Sequence, residues 1–399
     1  MTNHSFEMNC RNSGRMEAEV KRVYISGAIR TPLGTYQGTL ADFSEQKLAA
    51  MTMLDLIENV DIDPIKIDEI IIGNSKQTST PSNLARHAQL EAELPVEIPA
   101  YTVQRQSASG LQAVINGYLA IRSENADVIL AGGSESMSQV PLEIRKARFA
   151  FGADTEIVFD PIANQLAGAQ PADRYGKLKA SDITDAISAQ YGITESEIET
   201  YLDDSFKKCM LSKDKVHILP VEVKKKKTVE LINADQQYQE IPSVAMPADG
   251  AAMCLLCSEN AVKEQGLPVR GEILGIAFAA DSPKGSGYIA DEVITRAVEK
   301  AGLTLSEIDY FEISEFSAAQ ILANRKVMKS LGIGTREIDR KVNSEGGTLV
   351  SGLSWGAAGA VLLTDLLYKL QREGKKYGMV IAPAEGGQTL SMVIEAKYK

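Results

Sequence analysis

The sequence predicts an α/β protein made of two similar halves with a lobe inserted between them, and two observations carry that reading. The first is a faint internal repeat. Asp63-Pro-Ile-Lys-Ile-Asp-Glu-Ile-Ile-Ile-Gly-Asn74 reads as the end of a helix, an Ile-Asp step and a buried strand, and Leu305-Ser-Glu-Ile-Asp-Tyr-Phe-Glu-Ile-Ser-Glu315 reads the same way. A helix and a second strand follow each in the same order, so that Ile67 and Ile308 are offset by 241 residues and the helix starts Gly110 and Gly359 by 249. The second observation is that runs such as Ile70-Ile-Ile72 and Val128-Ile-Leu-Ala131 are apolar at every position. Strands of that kind can meet water on neither face, which implies helices covering both sides of the sheet.

In chain order, residues 1–21 are polar and unpatterned and read as a disordered extension. Val23-Tyr-Ile-Ser-Gly27 begins the first strand. Gly110 to Ile121 has apolar residues at helical spacing and leads to the strand Val128-Ile-Leu-Ala131 and a turn at Gly132-Gly133. Gly359 to Leu370 leads likewise to Met379-Val-Ile-Ala382 and a turn at Gly386-Gly387. Residues 140–239 are richer in charge and turn formers, contain the helical stretch Thr194 to Phe206 and the run Lys224-Lys-Lys-Lys227, and read as a lobe lying over the first half. The expected organisation is therefore 22–139 with 240–266, the lobe 140–239, and 267–399.

At 399 residues and 44% apolar composition the chain can bury a large core. A formal charge of −11 argues against nucleic acid or an acidic membrane as the main partner. No window approaches the roughly 18 to 20 apolar residues of a membrane span, and residues 1–21 lack a signal-peptide core, so a cytoplasmic protein is expected. Four cysteines, Cys10, Cys209, Cys254 and Cys257, make no disulfide framework. Cys254 and Cys257 sit in an apolar strand-like run where residues three apart face opposite ways, which favours core packing over a redox pair or a metal site.

Nine short segments in order resemble the thiolase family over most of residues 22–399. They are Arg30-Thr-Pro-Leu-Gly34, Asn83-Leu-Ala-Arg86, Val103 to Val114, Gly132-Gly-Ser-Glu-Ser-Met-Ser138, Ile187 to Ile193, Asp249-Gly-Ala-Ala252, Glu312 to Gln320, Asn343 to Ala360 and Gly386-Gly-Gln388. The resemblance implies a thiolase fold, a duplicated five-layer α/β/α/β/α architecture with an inserted loop lobe, and homodimers or homotetramers. It also implies acyl-CoA chemistry, with CoA or acyl-CoA as the ligand and no further cofactor.

The family's working residues are an acyl-accepting cysteine, a histidine in a Gly-His-Pro step that activates it, a second cysteine that moves the proton, and an asparagine that orders an oxyanion-hole water. The matching positions here are Ser107, Leu353, Pro383 and Ser314. A thiol at a helix start can be drawn from its pKa of about 8.5 toward neutrality. A serine hydroxyl is a far weaker acid and needs a positioned base, and His4, His87 and His217 all fall outside the expected site. The expected His-Met pair at the CoA mouth reads as Lys179-Ala180.

Acid groups were gained instead. Glu385 stands where the family has a glycine, Glu345 where it has a small or amide residue, and Glu315 keeps the family's acid. Carboxylates sharing one pocket raise each other's pKa, which is how a general acid is made; the plainer reading has Glu345 and Glu385 solvated or salt-bridged. Ser107 is either a working nucleophile or a small residue filling the cysteine's volume and capping the helix. Lys179, Lys224 and Lys225 are candidates for CoA phosphate contacts, against the plain reading of a solvated face. Three functions are open: a thiolase-like binding subunit or partner, including one in complex with an active acyl-transfer enzyme; a divergent enzyme using Ser107, or Glu315 and Glu385 in an aldolase-type cleavage; and an ordinary acetyl-CoA acetyltransferase.

Overall fold

The computed structural model describes residues 21–145, 158–212, 216–285 and 288–398. The expected extension, but for Lys21, lies outside them, as do His4 and Cys10. One ten-stranded sheet runs through the molecule in the order Tyr310–Ile313, Tyr377–Ala384, Gln388–Ala396, Gly271–Ala280, Val23–Arg30, Ala248–Ser258, Val128–Ser136, Glu69–Gly73, Ala100–Val103, with Gly34–Thr35 paired to Ala248–Ser258. The two halves of this sheet meet only where Tyr24 and Ile25 pair with Glu272 and Gly271. Two helices, Ser109–Arg122 and Ala358–Arg372, pack on each other between the halves. Glu45–Val60 and Leu84–Glu91 cover one outer face, and Asp291–Lys300 covers the other. This is the five-layer arrangement that the resemblance implied, built from the two similar halves that the repeat implied.

The alternation of faces explains the all-apolar strands. Ile71, Ala131 and Val380 point into the central helix layer, whereas Ile70, Ile72 and Val128 face one outer layer and Met379 and Ile381 the other. Each such side chain removed from water stabilises by about 1.5–3 kcal/mol. Cys254 belongs to the central layer and Cys257 to the outer one, on opposite faces of one strand. Burial pushes both thiols up to about 12.

The repeat extends to hydrogen bonds. Asp68 Oδ2 accepts from the backbone of Asp127 and Val128 at 2.7 and 2.8 Å, and Asp309 Oδ2 accepts from Lys376 and Tyr377 at 2.9 and 3.1 Å. Each Ile-Asp step thus ties the end of its short 3₁₀ turn to the start of the neighbouring parallel strand.

The expected turn at Gly132-Gly133 is not a turn. The strand continues to Ser136, and the glycines are there because a Cβ at Gly132 would lie 2.0 Å from Ala252 O and one at Gly133 2.2 Å from Gly356 O. Gly386 and Gly387 do make a turn, at φ +85° and +76°, between adjacent antiparallel strands.

The lobe rests on both halves, with Val221 and Val223 of its hairpin packed against Leu40, Phe43 and Leu48 of the first and its helices against the second. Its helices Ala180–Tyr191 and Glu195–Leu211, the latter capped by Thr194 and Glu197, pack against Ala318–Ser330. A buried ionic clamp holds its other end. Arg30 binds both oxygens of Asp235 at 2.6 and 2.8 Å and Asp365 Oδ1 at 2.6 Å, and His217, stacked on Tyr368, reaches the same Asp365 oxygen at 2.6 Å.

Gly133→Ala is expected to cost about 3 kcal/mol or more in a urea unfolding titration, because the added methyl meets backbone that cannot yield. A stability within experimental error of wild type would contradict this packing of the halves.

Candidate functional site

The chain enters the central helix through a tight, strained turn. Gln106 sits at φ +49°, a conformation a non-glycine residue rarely adopts. Ser109 locks it: its Oγ accepts from Arg105 N at 2.8 Å and donates to Gln106 O at 2.6 Å. The turn presents Ser107 one residue ahead of the N-cap, Ala108. Ser107 therefore does not cap the helix, as one reading had it. Its hydroxyl points across to the second half, where it donates to Glu385 Oε2 at 2.6 Å, and its backbone N–H donates to the same oxygen at 3.0 Å.

Glu385 is held from the other side by Gln165 of the lobe, whose Nε2 donates to Oε1. Ser107 and Glu385 are 4% and 3% exposed, so the pair is closed off from solvent. In acyl transfer the N–H of the nucleophilic residue is a common oxyanion donor; here a carboxylate already holds it. Among the described residues the carboxylate is also the one candidate base in bonding reach of the hydroxyl, and a poor match to so weak an acid.

The positions that the resemblance matched to the family's working residues are filled rather than left open. Leu353 packs in an apolar cluster with Met137, Trp355 and Ala358. Pro383 offers only its carbonyl, 3.5 Å from Ser107 Oγ. Ser314 is 1% exposed, with its N–H on Ile381 O. His87 is exposed near Glu91, and His217 belongs to the clamp. Among the described residues no group of three or more His, Cys, Asp or Glu is placed to hold a metal ion.

The three acids do not share a pocket. Glu315, fully buried, accepts from Tyr201 Oη, from Asn343 Nδ2 at 2.7 Å and from Leu349 N at 3.0 Å. Burial raises its pKa, and burial with the adjoining carboxylate raises that of Tyr201 well above the usual range. It is a strut between the lobe helix and the Asn343 turn. Glu345 is ion-paired to Arg372 and lines a separate cavity of about 490 Å³ beside Asp365 and Lys369. Only Glu385 stands with Ser107.

Nor do the lysines gather on one element. Lys179 is the exposed N-cap of Ala180–Tyr191, whereas Lys224 ends the hairpin strand Val221–Lys224 and Lys225, just beyond it, pairs with Glu230.

Sequence reasoning missed Lys76, Gln165 and Tyr201. Lys76 had a signal, since it follows the C-terminal end of a parallel strand, where α/β proteins place ligand-facing residues. Its Nζ donates to Pro161 O at 2.8 Å and lies 4.9 Å from the centre of the Trp355 ring. Burial lowers its pKa, and Glu385 is the charge that most opposes the shift. Glu135, within the Gly132 to Ser138 segment, is the hub beneath. It accepts from Asn74 Nδ2, Ser75 N, Lys76 N and Gly356 N at 2.7–3.2 Å, and burial pushes it up to about 7.

Comparison with known proteins agrees with this frame. The thiolase N-terminal domain matches residues 23–246 and the thiolase C-terminal domain residues 267–396. The mitochondrial 3-ketoacyl-CoA thiolase of Rattus norvegicus is 30% identical over 406 residues, covering 95% of this chain and 99% of that one. Among solved structures, the Bacillus anthracis acetyl-CoA acetyltransferase superposes with a TM-score of 0.87 at 26% identity, covering 95% of this chain and 99% of that one. The human mitochondrial 3-ketoacyl-CoA thiolase superposes at 0.86 and 28%, covering 95% and 100%.

Tyr201→Phe removes one of the donors to a buried carboxylate. It is expected to lower the unfolding free energy by about 1–3 kcal/mol, read by urea denaturation. An unchanged midpoint would show that Glu315 does not depend on that hydroxyl.

Proposed function

We propose a function from one premise: this chain belongs to the thiolase family. It does not run the family's thiolysis or Claisen condensation, and serves as an acyl-CoA-related binding subunit or as a partner of an active acyl-transfer enzyme. The observation that carries the reading is the Glu385 carboxylate taking both the O–H and the N–H of Ser107 at 2.6 and 3.0 Å. A group in that place competes with an acyl oxygen for the backbone donor and sets a negative charge where negative charge would have to develop. The apolar setting of Leu353 and the loss of the second thiol at Pro383 support the same conclusion. Losing nucleophile, base and proton carrier together removes several factors of about 10² to 10⁴, although such losses do not add.

The short hydroxyl–carboxylate bond also favours a second reading, a divergent enzyme in which Glu385 orients Ser107 for acyl transfer. On that reading the carboxylate accepts the hydroxyl proton as the Oγ–carbon bond forms, and the CoA thiolate leaves.

Acetoacetyl-CoA thiolysis by the purified protein is expected at background, and Ser107→Cys alone is expected to leave it there. Calorimetry with CoA and acetyl-CoA is expected to give heat of binding without turnover. A genuine thiolysis rate would return the chain to the ordinary acetyl-CoA acetyltransferases. An acyl adduct on Ser107 by mass spectrometry, absent in Glu385→Gln, would establish the second reading instead.

A further inference from the structure

The internal repeat extends to the starts of the two central helices. The offset of 249 residues that relates Gly110 to Gly359 also relates Arg105 to Ser354, Ser107 to Gly356 and Ala108 to Ala357. The turns at these places are built alike. Ala108 N donates to Arg105 O at 3.0 Å and Ala357 N to Ser354 O at 2.8 Å, and the first helical bonds run from Gln112 N to Ala108 O and from Val361 N to Ala357 O at 2.9 and 3.0 Å. The N-caps Ala108 and Ala357 are both alanines, and neither makes a side-chain cap bond. A helix start leaves backbone N–H groups with no partner inside the helix, and an alanine side chain cannot accept from them.

Each half supplies the missing acceptor to the other. Glu135, in the first half's strand Val128–Ser136, accepts at 2.8 Å from Gly356 N, just ahead of the second half's helix. Glu385, just past the second half's strand Tyr377–Ala384, accepts at 3.0 Å from Ser107 N, just ahead of the first half's helix. In both cases one carboxylate oxygen takes the N–H of the opposite half and a side-chain amide holds the other, Asn74 for Glu135 and Gln165 for Glu385. The offset pairs Glu135 with Ala384, so Glu385 reaches the same task from one residue further along. The two carboxylates are 1% and 3% exposed. A buried carboxylate at a helix N-terminus is favoured by the helix dipole and by the strength of charge-assisted hydrogen bonds. The bond from the Ser107 hydroxyl has no counterpart at Gly356, which leaves the N–H bond as what the two places share.

We propose that Glu135 and Glu385 form a reciprocal latch, in which each half of the chain supplies the carboxylate that caps the central helix of the other. Glu385 then orders the turn that presents Ser107, whatever the hydroxyl itself does. The latch goes beyond the function proposed above and needs no acyl-CoA, so its test is independent of thiolysis and calorimetry.

Hydrogen exchange of the full chain, followed by mass spectrometry of overlapping peptides, reads each helix start separately. Glu385→Ala is expected to speed exchange at residues 107–111 about tenfold or more, as the loss of a hydrogen bond to a charged group does, and to leave 356–360 near the wild-type rate. Glu135→Ala is expected to speed 356–360, together with 75–76, whose N–H groups it also holds. Glu385→Gln keeps the size of the side chain and loses its charge, and is expected to speed 107–111 about two- to fivefold. Glu345→Ala breaks an ion pair with Arg372 in the same half as Glu385, and is expected to leave 107–111 as in wild type. Wild-type rates at 107–111 in both Glu385 variants, or at 356–360 in Glu135→Ala, would overturn the latch. So would an equal rise at both helix starts in Glu385→Ala, or a rise at 107–111 in Glu345→Ala, either of which would mark a general loosening rather than a cap.

Discussion

The structure depends on how closely its two halves approach at one seam. Gly133 and Gly110 lie so near Gly356 O that a methyl at either would fall within 2.2 and 2.7 Å of it, and Gly356 N–H reaches across to Glu135. That contact sets the distance between the central helices. It therefore fixes where the turn before Ser109 from one half meets the Pro383–Gly387 loop from the other. A candidate site assembled from two halves is only as precise as the seam between them, and here backbone atoms, rather than side chains free to change rotamer, set the spacing.

On that rigid frame the residues around Ser107 are closely packed and well partnered. Leu353 fills its place with apolar contacts, and Glu385 enters a gap bounded by Ser107 and Gln165. Each buried polar atom of the new carboxylate finds a donor, which keeps the change from costing the fold dearly. The strain at Gln106 persists although no thiol stands next to it, because Ser109 and the helix behind it still impose that backbone. The scaffold is common to this chain and its family.

Much of the fold was legible. The all-apolar strands gave helices on both sides of the sheet, the two Ile-Asp steps gave the duplication, which the structure extends to equivalent hydrogen bonds at Asp68 and Asp309, and the opposed faces of Cys254 and Cys257 followed from strand geometry. Gly132-Gly133 misled because a glycine placed for close packing is written with the same letter as one placed for a turn. The lobe's second support, on Ala318–Ser330, was not legible because helix-to-helix docking is a long-range choice that local pattern does not encode. At the site, a motif position identified Ser107 and Glu385 separately, but their bond spans 278 residues. The dispersal of Glu315 and Glu345 away from them followed from partners, Tyr201 and Arg372, that nothing in the linear order singles out.

The clamp around Arg30 has a consequence for motion. It joins the first strand, the lobe at His217 and Asp235, and the second half's central helix at Asp365 through one guanidinium that is wholly inaccessible. Releasing any arm would strand a buried charge, at about 3–5 kcal/mol. The clamped end of the lobe, at His217 and Asp235, therefore has no low-energy way to swing aside. That end of the lobe is anchored to both halves of the molecule through a single side chain.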